Sequence, residues 1–154
     1  MNTVIADVLE AVRAEVATLG LTLAGALLPV VTRKLPVKEE GIDPPSQIVV
    51  SLADALPQPT RFAQGVLLYT LPVEVTLVSP SDGNLADVGD LSNLFGLVRD
   101  HFAQQGLVLT LSGSTSNFYD LRPAEGAFLD RARLSARYQY QSQRVTVRVL
   151  TFAR

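Results

Sequence analysis

Residues 66–79 read VLLYTLPVEVTLVS and residues 88–102 read VGDLSNLFGLVRDHF, with the polar turn PSDGN at 80–84 between them. In the first segment Val66, Leu67, Leu68, Tyr69 and Leu71 lead into Val73, Val75, Leu77 and Ser79. These alternate with Glu74, Thr76 and Val78, the period-2 pattern of a strand buried chiefly on one face. In the second segment Val88, Leu91, Leu94, Phe95, Val98 and Phe102 recur at helical spacing, and Gly106 supplies a C-terminal stop. A strand followed by an amphipathic helix predicts a helix lying across a sheet.

Towards the N-terminus, Val4, Ile5, Val8, Leu9, Val12, Val16 and Leu19 form one apolar stripe opposite Asp7, Glu10, Arg13 and Glu15, which predicts a helix over 3–19 ended by Gly20. The run Leu21–Ala26 has no clear period and is read as a loop leading into a strand around Val30–Leu35. Pro36–Ser46, with three prolines, Gly41 and four charges, is read as a projecting loop; Gln47–Leu52 as a short strand; Ala53–Gln64 as a second loop. Connections this long in a compact domain are usually functional or ordered by a partner.

Beyond the second helix, Leu107, Leu109 and Leu111 alternate as a strand, Ser112–Ser116 is a flexible polar run, and Asn117–Phe128 has no regular pattern. From Asp130 to Gln141 the alternation sets Ala132, Leu134, Ala136, Tyr138 and Tyr140 against a polar face carrying Arg131, Arg133 and Arg137. Ser142–Arg144 is short enough to turn a hairpin into Val145, Val147 and Val149. The order of elements predicts one α+β domain over residues 1–154, a mainly antiparallel sheet with two main helices packed on one face. Its expected core includes Val12, Val75, Leu77, Leu94, Val98 and Leu134.

A chain of 154 residues is long enough to bury about two thirds of the surface its unfolded form exposes. The net charge of −2 produces no field favouring nucleic acid or an acidic membrane, and the absence of Cys excludes disulfides and thiolate metal sites. Asp7 and Glu10 precede the first cation, Arg13, unlike the basic start of a secretory signal, so the N-terminus is expected to stay attached. The longest apolar run, Leu21–Val31, falls short of the ~20 residues of a membrane span, which leads to the expectation of a soluble protein of the cytosol.

No recognisable catalytic set is present. His101, the only histidine, falls in the last turn of the second helix, where an imidazole suits the helix dipole. Asp82, Asp87 and Asp90 do not follow the spacing of a calcium loop and are read as helix-start acids. The run Gly113–Ser116 lacks the Lys and following helix of a phosphate-binding loop, and no serine lies in a G-x-S-x-G elbow. The arginine face of the last strands, Arg131, Arg133 and Arg137 with Arg144 and Arg148 nearby, has three readings: a solvated sheet face, an inter-subunit or lumen-facing surface, or, third, a nucleic-acid surface.

The helix at Val4–Leu19, the strand Gln47–Leu52, the Leu-Pro-Val-Glu-Val of the strand Leu71–Ser79, the helix Asp87–Phe102 and the terminal Ala-Arg-Tyr-Gln-Tyr segment together resemble, in layout, the tail-terminator (tail-completion) proteins of tailed bacteriophages and the related cap proteins of contractile injection systems. The resemblance implies a structural virion protein with no catalytic residues, cofactor or metal. It implies a hexameric ring, assembled in the host cytoplasm, that caps the tail tube and joins it to the head connector. Its expected partners are further copies of the chain, the tube protein and the connector, with no membrane and no sequence-specific nucleic acid. The ring contacts would fall on the long loops and the arginine-bearing hairpin, pairing Glu39, Glu40 or Asp43 of one copy with Arg131, Arg133 or Arg137 of the next. The other classes are a small-molecule-binding domain or enzyme of unrecognised type, and a monomeric adaptor.

Overall fold

The computed structural model describes residues 3–23, 25–33, 46–53, 58–80, 88–111, 116–127 and 138–152. Helix α1 (Thr3–Thr18) is followed by short strands β1 (Thr22–Leu23), β2 (Ala26–Leu27) and β3 (Val30–Thr32), then β4 (Gln47–Leu52), β5 (Thr60–Ala63) and the long β6 (Val66–Pro80). Helix α2 (Val88–Phe102) then leads to β7 (Ser116–Ala127) and β8 (Tyr138–Phe152). The main sheet runs β3-β4-β6-β8-β7, with β5 also pairing to β6. Its neighbours are antiparallel except β3 and β4, so the sheet is mixed but mostly antiparallel, as the α+β expectation requires.

Strands β6 and β8 pair along their whole lengths, from Val66 opposite Phe152 to Pro80 opposite Tyr138. This register gives the sheet two distinct faces, because side chains alternate along each strand. On one face lie Ile48 and Val50 of β4, Leu71, Val73, Val75 and Leu77 of β6, and Val145, Val147 and Val149 of β8. Both helices cover that face: α1 contributes Val4, Val8, Val12 and Val16, and α2 contributes Leu94, Val98 and Phe102 to the same buried cluster. The opposite face carries a smaller apolar cluster, Val49, Val78 and Tyr140, and a buried polar set that includes Ser51, Glu74, Thr76 and Ser142.

Local chemistry explains several boundaries. Gly20, at φ 58°, ends α1 in the left-handed conformation that relieves a Cβ clash, while Leu19 and Gly20 donate to Val16 and Ala17. Pro72 sits inside β6, where a missing N–H would normally break a ladder. Its carbonyl accepts Ala53 N–H at 2.7 Å on the flank where β4 ends, so the lost donor faces the gap between β4 and β5 and the ladder to β8 stays whole.

The expected core residues Val12, Val75, Leu77, Leu94 and Val98 are buried; Leu134 lies outside the described residues. Five element expectations differ from the fold. Ser142–Arg144 is not a hairpin but the middle of β8, paired to Thr76, Val75 and Glu74, because its polar side chains are satisfied or buried within the sheet and do not mark an exposed turn. Asn117–Phe128 holds a strand after all: β7 pairs with β8, and its register shifts at Phe118/Asp120 and Ala124/Ala127 disrupt the alternation that would have revealed it. Leu107–Leu111 is not a strand, although Leu109 is buried and Leu107 and Leu111 pack on the core; it alternates without a ladder partner. Thr60–Ala63, read as loop, is the edge strand β5, and the run from Leu21 forms a small hairpin of β1 on β2, with Gly25 at φ 79°.

Candidate interaction surface

The acids Glu39, Glu40 and Asp43 and the arginines Arg131, Arg133 and Arg137 expected at a subunit contact lie outside the described residues, as do Asp82, Asp87 and most of the loop Pro36–Ser46. Arg144 and Arg148 are described, and neither belongs to a freely solvated face. On β8 both point away from the helices, between the buried Val145, Val147 and Val149. Arg144 Nε lies 3.9 Å from Glu74 Oε2, and Thr76 Oγ1 donates to Glu74 Oε1 at 3.3 Å. Glu74 is thereby accommodated in the buried polar set even though its side chain is only 3% exposed.

Arg148 belongs to a second group, a corner on the sheet face away from the helices that is built by β7 and β8 and reached from β5 by the Phe62 ring. Its Nη1 donates to Asp120 Oδ2 at 3.2 Å, as the pairing of Asp120 with Arg148 across β7 and β8 dictates. The bulge between Phe118 and Asp120 brings the Tyr119 ring beneath the same guanidinium, 4.7 Å from ring centroid to Cζ. Tyr119 in turn meets Phe62, which occupies the bulge of β5, edge to face at 5.6 Å between centroids. Arg122 Nε approaches Asp120 Oδ2 at 3.6 Å from a mostly exposed side chain. Phe62 is 50% and Tyr119 43% exposed, so two aromatic rings and two arginines gathered around one carboxylate form an open surface. Aromatic rings and Arg are the residue types enriched at protein interfaces relative to the rest of the surface.

Across the sheet, the buried stripe of α2 leaves Asn93, Leu97 and Asp100 exposed along one side of the helix, with Leu97 at 53%. Leu97 also borders an open cleft of about 400 Å³ between α2 and the turn after α1, lined by groups including Leu19, Thr22 and Asn93. None of its lining residues ionises at neutral pH. The stripe and the aromatic corner lie on opposite faces: α2 covers the Val145/Val147/Val149 face, and Arg148 with Tyr119 occupies the other.

His101 joins the two helices. Its Nε2 lies 2.8 Å from Glu15 Oε2, with both side chains partly buried, so the histidine ties the end of α2 to the end of α1. Arg99, also in the last turn of α2, complements the helix dipole. Among the described residues no three His, Cys, Asp or Glu side chains are placed to hold a metal ion, and no helix is long and apolar enough to cross a membrane.

Sequence reasoning missed Phe62 and Tyr119 because each sits at a bulge inside a segment that reads as loop. The available signal was weak, an aromatic residue within a Pro- and Gly-flanked stretch, since single exposed rings are ordinary on protein surfaces. No protein-family model matches the chain, and no relative is found among curated proteins.

Proposed function

We propose that the chain is a structural, non-catalytic subunit of the tail-terminator kind, assembling with copies of itself into a ring, of hexameric size by the resemblance, that caps a tail tube and meets a head connector. The observation that supports this reading is the pair of exposed surfaces on opposite faces of one sheet, Leu97 with Asp100 on the helix side and Phe62 with Tyr119 on the other. A subunit inside a ring is contacted on two sides by different surfaces, so two separated sticky areas are what such a subunit needs. A single-substrate enzyme needs instead one concave pocket with converging polar groups.

The test is particle mass by light scattering over a concentration and salt series, joined to electron microscopy of tube ends in the presence of the tube protein. A ring in solution and decorated tube ends are the expected results; a protein that stays monomeric throughout and never decorates a tube end refutes the reading. The alternative, a small-molecule-binding domain or enzyme, rests on the cleft beside Leu97. Saturable stabilisation by a small ligand, abolished by a bulky substitution at Asn93, would favour it.

A further inference from the structure

We draw no further inference here: the strongest candidate, the exposed Phe62–Tyr119–Arg148 corner on the sheet face away from the helices, already serves the ring reading, and nothing in the structure shows what covers it.

Discussion

Phe102→Ala tests how α2 is held. Phe102 is 1% exposed and is the largest of the fully buried side chains among the described residues, sitting in the last turn of α2 with its ring edge to face with that of His101 at 5.3 Å. With Leu94 and Val98 it forms the stripe through which the helix enters the core. Truncating a buried Phe removes its transfer free energy and leaves a cavity that the surroundings fill only in part, at a cost of about 3–5 kcal/mol. Against a total stability on the order of 5–15 kcal/mol, that is a large share. For a domain of this size each kcal/mol lowers Tm by about 2–4 °C, so a fall of roughly 6–20 °C is expected. The assay is equilibrium urea unfolding at a protein concentration where light scattering shows a monomer, because subunit contacts add stability by mass action. The midpoint should fall with the slope m unchanged. The control is Leu97→Ala on the same helix, whose exposed side chain should change stability by no more than about 0.5 kcal/mol. A loss below about 1 kcal/mol for Phe102→Ala, or an equal loss for Leu97→Ala, would refute the orientation assigned to α2.

Other outcomes follow from particular contacts. A double-mutant cycle on Glu15→Gln and His101→Ala should give a coupling of about 1 kcal/mol, since the pair is only partly buried, and two strictly additive losses would show that the 2.8 Å contact does not persist in solution. Gly126→Ala should destabilise the protein and disturb β7, because an added Cβ would meet the Ser142 carbonyl oxygen and lie 2.8 Å from Gln143 Cα; unchanged thermal unfolding would disprove that close approach. The Glu10 carboxyl is held below its ordinary range chiefly by the hydrogen bond from Arg13, so its small stabilising contribution is present above the ordinary carboxylate range and is lost as pH falls through the lowered value. An NMR titration of Glu10 that does not move upward in Arg13→Ala would contradict this.

The parts of the fold that were legible in the sequence are those where a single periodicity coincides with a single buried face. Helix α1 was legible because Val8, Val12 and Val16 repeat at helical spacing and all three are fully buried. Strand β6 was legible because Leu71, Val73, Val75 and Leu77 alternate and face the helices. The illegible parts have burial on both faces or irregular pairing. Ser142 to Arg144 look like a turn when read locally, because the burial of Ser142 and Gln143 comes from β6, more than sixty residues earlier. Tyr119 is displaced by a bulge, and no local rule announces a bulge in a segment containing Pro123 and Gly126. The candidate surface was half legible: the arginines of the C-terminal strand drew attention from their number, but the partners that orient Arg148 come from β7, which the sequence did not reveal as a strand.

The buried polar set on the second face has a consequence for how β8 finds its place. Slipping β8 by one residue against β6 would turn Arg144, Thr146 and Arg148 into the helix-covered core and expel Val145, Val147 and Val149, so the apolar face alone excludes odd slips. It does not exclude a slip of two, which keeps every valine inward. Such a slip would place Arg144 opposite Pro72 or Thr76 instead of Glu74, and would leave a buried carboxylate without the cation that the native register sets across from it. On the far edge β7 pairs with β8 and moves with it, so the same slip would keep Arg148 on Asp120 but carry Tyr119 away from Phe62, which is held on β6 through β5. Valines thus fix which face is inside, and the Glu74–Arg144 pair selects the native register among those permitted. The Phe62–Tyr119–Arg148 corner is therefore assembled by the same pairing that completes the sheet, and it can exist only on a chain whose last strand has docked correctly.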